Sequence, residues 1–278
     1  MKSRTMIRHI LITLIIPIFS MGQMYEISPE SDLIGEIYTI KVSSNISAEQ
    51  LAKSQNIGYQ ELKLANPSIG KIVKKGETVI IPAMYILPPK KFRHGLVINI
   101  AEPRLYYFTS DGQFVFTTPI AVGRSGWRTP LFSGSIIDKK PRPTWRPPES
   151  IRKYYLKTHQ EELPEIIPPG PKNPLGNYAI YTSEARILIH GTNDEDSIGK
   201  YASSGCIRLY NQDIQTLFRI INVNDSVTII HMPIKTGLHF GDEYIEVHPS
   251  IFDANYEHEL NILKTSSSKT SRGIPIIR

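Results

Sequence analysis

Cysteine is all but missing from this chain: Cys206 stands alone among 278 residues. A single thiol has no intramolecular partner, so no disulfide framework exists here, and one thiolate cannot build a cysteine metal site. The eight histidines are scattered without ligand spacing, so neither a metal nor another cofactor is expected. Long apolar runs are missing after the first twenty residues, so no later helix is expected to span a membrane. Nucleic-acid recognition motifs are missing too. What remains is 40% hydrophobic and 21% charged residues, a globular balance, and a length that suits one mid-sized domain with a small one beside it. The net charge of +6 points to polyanionic surroundings, and an acidic cell-wall polymer fits better than nucleic acid.

The first residues read "MKSRTMIRHILITLIIPIFSMGQ". Lys2, Arg4 and Arg8 form a basic start, Ile10 to Phe19 an apolar stretch, and Ser20 and Gly22 supply small residues for cleavage after Gly22. Residues 1–22 therefore read as a secretory signal peptide, and the mature protein as exported to the periplasm. The alternative is an uncleaved anchor, but the apolar run is shorter than the roughly 20 residues a span needs. In an exported protein a lone cysteine is either buried and inert or a free reactive thiol.

Residues 37–82 form a small α+β unit. "IYTIKV" is strand-like, and Ser47 with Gln50 makes a capping box that opens the helix "SAEQLAKSQ". A second helix, "YQELKLA", stops at Asn66-Pro67, and "ETVIIP" closes with a strand. This βααβ order, with "LKLANP" and "KKGETVIIP", resembles a LysM module, a peptidoglycan-binding repeat. Where LysM modules usually carry Gly-Asp-Thr this chain reads Ser43-Ser44-Asn45, which weighs against tight glycan binding and leaves a spacer role open. A linker is expected over 83–94, with "ILPPKK" at its centre. Over 95–231 the chain turns mainly β. "LVINIA", "RLYYFT", "QFVFTTPIAVG", "YAIYTS", "ILIHG" and "DSVTIIH" are short β-branched and aromatic runs, with Asp111-Gly112 as a hairpin turn. They predict a β-sandwich or barrel with one capping helix over 211–221, N-capped by Asn211. Nine prolines between Pro141 and Pro174 mark a long irregular segment, 139–176, read as a lid that contains Trp145. A C-terminal extension (232–263) and a Ser/Thr/Lys-rich, disordered tail (264–278) complete the chain.

A cysteine nucleophile acts as a thiolate and needs a base and oxyanion donors. His190 sits at the end of the strand-like "RILIH", where the sheet holds its backbone and leaves the ring at an open edge. Gly205 allows a sharp turn, and the Cys206 N–H with that of Gly205 or Ser204 offers an oxyanion site. Arg208, two residues on, points to the same side as Cys206 and suits a substrate carboxylate.

"IHGT", then "SIG", then "SSGCIRL", is similar to the signature of L,D-transpeptidases with a YkuD-type catalytic domain. "HGLVINIAEPRLYYF", "PTWRPP", "NPLG" and "YIEVHP" resemble the subgroup with an N-terminal LysM module, some of whose members anchor outer-membrane lipoproteins to peptidoglycan. The resemblance implies that Cys206 is the nucleophile, His190 the general base, and Gly191 the residue whose carbonyl orients that histidine. Ser204, Gly205, Arg208 and Trp145 are read on the substrate side; against the family pattern, Ser204 stands where many members have histidine. The implied reaction begins with attack of the thiolate on the carbonyl of the third residue of a stem tetrapeptide. D-Ala is released, and the thioester passes to an amine of a second stem peptide or a lipoprotein lysine. Hydrolysis of the same thioester (a carboxypeptidase or endopeptidase) and an inactive wall-binding scaffold are the competing readings. The acids Asp194, Glu195 and Asp196, close after His190, are either a solvated loop or an attractor for a cationic acceptor.

Overall fold

The computed structural model describes residues 22–248. The export segment before Gly22, the last part of the expected extension and the whole expected tail lie outside the described residues. β1 (Gln23–Glu26) is followed by a small unit: β2 (Leu33–Lys41), β3 (Ile46–Ser47), α1 (Ala48–Ser54), α2 (Tyr59–Ala65), β4 (Ile72–Val73) and β5 (Thr78–Ile86). β2 and β5 pair antiparallel over their full length, from Leu33 opposite Ile86 to Lys41 opposite Thr78. The capping box is present in both arms: Gln50 N–H donates to the Ser47 hydroxyl at 3.1 Å, and the Gln50 side chain accepts from Ser47 N–H at 3.4 Å. Helices of seven residues do not persist alone. Leu51, Ala52, Ile57 and Leu62 hold them by packing on Val79 and Ile81 of the strand pair.

The large unit runs β6 (Gly95–Asn99), β7 (Arg104–Phe108), β8 (Phe114–Pro119), β9 (Val122–Gly123), β10 (Phe132–Pro141), α3 (Glu149–His159), β11 (Tyr178–Thr182), β12 (Leu188–His190), β13 (Tyr201–Ser203), β14 (Ile207–Arg208), α4 (Asn211–Ile220) and β15 (Ser226–Ile230). The hairpin β16 (Ile234–His239) and β17 (Asp242–Val247) follows. Nine strands join in the order β1-β8-β7-β6-β15-β10-β11-β12-β14. β10 is the corner. Its first half pairs with β15 and its second with β11, with a register shift between Ile136 and Asp138. Such a shift bends a strand, and apolar side chains from both halves meet in one core: Leu96, Leu105 and Val227 from one, Ile180, Ile189 and Ile207 from the other. α4 closes that core with Ile214 and Leu217.

Three expectations change. A second helix, α3, lies inside the proline-rich segment, starting directly after Pro148. It buries none of its residues, and its short apolar stripe of Ile151, Tyr154 and Tyr155 is set among prolines that point to a loop. Asn211 is not the cap of α4: Tyr210 holds that position, without a side-chain cap bond, and Asn211 begins the helix. Residues 83–86, expected as linker, belong to β5, because Tyr85 and Leu87 are buried in a core with Val97, Tyr106 and Phe108.

The units meet through buried charge. Arg104 on β7 donates to Glu61 of α2 at 3.0 Å and to the Tyr85 hydroxyl at 2.7 Å. Lys235 of β16 lies 2.7 Å from Glu102 and 3.1 Å from Glu246, and donates to the Ile86 carbonyl at 2.6 Å. Burying such ions is costly unless each is paired and hydrogen-bonded, and here each is. The small unit, the sheet and the C-terminal hairpin are thus locked by one network.

Candidate active site

β12 and β14 lie side by side, parallel, with Ile189 opposite Ile207 and His190 opposite Arg208. Ile189 and Ile207 face the core. Alternation along β12 and β14 therefore turns Leu188, His190 and Arg208 to the other face, and Cys206, in the bend just before β14, has its sulfur beside the start of β12. A register set by two isoleucines thus brings together the segments that carry the histidine and the cysteine, sixteen positions apart in the chain.

His190 is 4% exposed, and its Nδ1 lies 2.6 Å from the Gly191 carbonyl oxygen. A carbonyl only accepts, so Nδ1 carries the ring proton and Nε2 is the basic nitrogen. Burial and then the Arg208 charge push the imidazole pKa down to about 3, against a weaker opposite pull from the Gly191 and Pro174 carbonyls. Cys206 is half-buried, its sulfur 3.9 Å from the Arg186 carbonyl oxygen. Burial raises its pKa above the ordinary thiol value, while the Leu188 backbone and the Arg208 charge pull it back. The resting pair is therefore a thiol and a neutral imidazole.

The loop before the cysteine is tightly tied. Gly205 has φ of 109°, a conformation that costs any residue with a Cβ. Its N–H donates to the Ser203 hydroxyl at 3.1 Å, so of Gly205 and Ser204, the two partners considered for the Cys206 N–H, Gly205 is already engaged. The Ser203 hydroxyl in turn donates to the Cys206 carbonyl at 2.5 Å. The N–H groups of Ser204 and Cys206 meet no protein acceptor among the described residues. Two residues that the motif reading missed hold this loop from outside. Thr129 donates to the Gly205 carbonyl at 2.9 Å. Arg124 donates through Nη1 to the Ser204 hydroxyl at 3.1 Å and to the Ser203 carbonyl at 3.3 Å. Asn211 is a third missed residue: it donates to the Thr192 carbonyl at 2.7 Å and fixes the chain just after His190 and Gly191.

Arg208 is half-buried and lies 3.5 Å from Asp194. The Trp145 backbone exchanges two hydrogen bonds with Ile167, of 2.9 and 2.8 Å, closing the proline-rich segment on itself. An open groove of about 790 Å³ runs beside the site, walled by Arg142, Asn173, Asn177, Thr192 and residues 193–196; Cys206, His190 and Trp145 are not in its walls. Glu195 is bound by Lys53 of α1, which leaves Asp196 as the acid of the three without a cation partner among the described residues. The Glu102, Glu246 and His248 cluster has the composition of a metal site. Lys235 already supplies its cation, so the residues present do not call for a metal. No helix among the described residues is long and apolar enough to cross a membrane.

Residues 93–229 match the family model of the YkuD L,D-transpeptidase catalytic domain. The chain is 37% identical over 246 residues to the probable L,D-transpeptidase ErfK/SrfK of Escherichia coli (strain K12), covering 86% of this chain and 78% of that protein. It is 37% identical over 254 residues to the probable L,D-transpeptidase YbiS of the same strain, covering 88% and 82%. Among solved structures, the catalytic domain of the E. faecium L,D-transpeptidase aligns over 49% of this chain and 96% of its own, with a TM-score of 0.37 and 18% identity. The matched span contains both His190 and Cys206, and the chain belongs to the L,D-transpeptidase family, with its YkuD catalytic domain at residues 93–229.

Proposed function

We propose that this L,D-transpeptidase works by covalent catalysis through Cys206 in the periplasm, on stem peptides of peptidoglycan. The observation that supports the reading is the β12–β14 register, which sets His190 beside Arg208, two residues after Cys206. Nε2 of His190 takes the thiol proton as sulfur attacks the carbonyl of the third stem residue. Because the thiol pKa is raised and the imidazole pKa is near 3, this transfer is uphill in the resting enzyme and proceeds only as the C–S bond forms. The N–H groups of Cys206 and Ser204 take the oxyanion. The bond to D-Ala breaks, the amine leaves with the proton, and a thioester remains. An acceptor amine attacks the thioester, the C–S bond breaks, and the thiol is restored, so one hard transfer becomes two easier ones. Arg208 is suited to hold a substrate carboxylate.

The acceptor is an amine: a second stem peptide or a lipoprotein lysine. The likeness to the subgroup with a LysM-like module supports the latter, and the βααβ unit supports attachment at the wall. Intact-mass measurement after carbapenem exposure tests the nucleophile. One adduct, lost in Cys206→Ala, is expected, and an adduct surviving that change overturns the assignment. Muropeptide analysis with and without the protein then reads the acceptor: new cross-links or lipoprotein-bearing fragments support transfer, and tripeptide products alone support hydrolysis.

A further inference from the structure

Arg124 is a half-buried cation that the chemistry above does not use. It follows β9, on the strand segment that pairs with β13 at Ser203, and its own N–H donates to the Ser203 carbonyl at 3.0 Å. Its guanidinium reaches three acceptors on the residues leading to the nucleophile: the carbonyls of Ala202 and Ser203 at 3.5 and 3.3 Å and the Ser204 hydroxyl at 3.1 Å. Its other side meets rings, the guanidinium carbon lying 4.9 Å from the Tyr154 ring centre and 5.5 Å from that of Trp127. Those two rings touch edge to face at 5.7 Å. Tyr154 belongs to α3, a helix that buries none of its own residues. Its packing on Arg124 and Trp127 is thus the described side-chain contact between α3 and the nucleophile's surroundings.

We propose that Arg124 is a positioning residue that links helix α3 to the Ser204–Gly205–Cys206 loop, holding the Ser204 and Cys206 N–H groups in place for the oxyanion. A planar guanidinium suits this better than an ammonium, because Nη1 alone donates to the loop while the flat face of the group stays open to the Tyr154 and Trp127 rings. Gly205, with its φ of 109°, needs such an external hold, since neighbouring conformations are equally open to glycine. The inference rests on the reading of Cys206 as nucleophile, and the experiment separates the two.

The full chain and its Arg124→Ala, Arg124→Lys, Tyr154→Ala and Tyr154→Phe variants are compared in two assays: the rate of carbapenem acylation, and the rate of iodoacetamide alkylation against pH. Arg124→Ala is expected to slow acylation about tenfold to a hundredfold, less than the roughly 10²–10³ lost with an oxyanion donor itself, because the donors stay and are only displaced. Arg124→Lys keeps the charge, so its alkylation profile stays where the wild type's is while acylation is slowed. Tyr154→Ala slows acylation, Tyr154→Phe restores it, and the Arg124→Ala/Tyr154→Ala double variant is no slower than Arg124→Ala alone, because both act through one side chain. Wild-type acylation in Arg124→Lys, or effects of the two sites that multiply, overturns the proposal. Should Arg124→Ala fail to fold, Arg124→Lys and the Tyr154 pair give the same decision. Failure of the underlying reading looks different: the carbapenem adduct then survives Cys206→Ala.

Discussion

Acidification from pH 6.5 to 5 should cost the native state about 2 kcal/mol through His190 alone. Its imidazole pKa is held near 3, below the ordinary 6.5, by burial and by the Arg208 charge. As pH falls, the unfolded chain binds the proton first, and the native ring refuses it. His190 therefore leaves stability untouched above pH 6.5 and removes it between 6.5 and about 3, at about 1.4 kcal/mol per pH unit, or about 5 kcal/mol in all. Asp213 acts in the opposite sense. Its carboxyl is fully buried, accepting from the Thr118 hydroxyl, and burial raises its pKa from 3.8 to about 6. Between pH 6 and 3.8 the native state takes up that proton first, which favours folding by about 1.4 kcal/mol down to pH 5. Asp213 offsets about two-thirds of the His190 loss in the wild type, so a bare melting curve understates both. The informative quantity is a difference: urea unfolding of wild type and His190→Asn at pH 7, 6 and 5. Whatever constant offset the substitution brings, the variant should lose about 2 kcal/mol less than the wild type between pH 7 and 5. Parallel pH dependences would refute the argument and put the folded-state pKa of His190 near its ordinary value.

His190→Ala should slow acylation of Cys206 by about 10²–10⁴ at neutral pH, the usual worth of a general base. Recovery at high pH should begin only above the ordinary thiol range, because burial raises the Cys206 pKa. Lys235→Met leaves Glu102 and Glu246 buried without their cation, and urea unfolding should register a loss of about 3–5 kcal/mol. Gly205→Ala forces a Cβ into a left-handed conformation although the space is open, its nearest neighbour being the Trp127 carbonyl at 3.7 Å. It should cost about 1–3 kcal/mol in unfolding measurements and slow acylation, with the rate recovering in no simple charge-preserving variant.

The strands were legible because their residues alternate or run apolar toward a common core: β6, β7, β8, β11, β12 and β15 all fall on the β-branched and aromatic runs of the sequence. Cys206 and His190 were legible from a local signature, since each lies within a short conspicuous motif. What escaped reading has a masked local mark or none. α3 buries nothing, and its one helical stripe, Ile151, Tyr154 and Tyr155, is short and follows directly on Pro147-Pro148, so the prolines around it masked the pattern. Arg124 and Thr129 act on residues about eighty positions away, and only the β9–β13 pairing brings them there. Asn211 looked like a cap because asparagine at a helix start usually is one. Its amide is instead spent on Thr192, across a gap where both Gly176 and Gly191 come too close for a Cβ. β1 escaped for another reason: four exposed or half-exposed residues are too few to show a period, and the edge of β8 is what orders them.

The acidic loop changes meaning once its partners are known. From sequence alone, three acids after a histidine invite a cationic acceptor. In the fold, Glu195 is held by Lys53 of α1, and its neighbourhood is fastened again by Lys200 to Glu49 at 3.1 Å and by Gln60 N–H to the Gly199 carbonyl at 3.4 Å. Gly199 approaches Gly58 and Tyr59 so closely that a Cβ there would lie 2.3 Å from the Tyr59 nitrogen. A loop clamped along its length against α1 and α2 is a docking surface for the small unit first. Neutralising all three acids would therefore loosen the contact between units as well as weaken any attraction for an amine. Asp196 is the exception: it lines the groove and has no cation of its own among the described residues, so Asp196→Asn isolates the attraction. An exposed charge pair contributes about 0.2–1 kcal/mol, so the acceptor KM should rise by no more than about fivefold at low salt, and the effect should vanish as salt shortens the Debye length. A change in donor acylation instead would mean that the loop acts on the chemistry through Thr192 and His190, not on the acceptor.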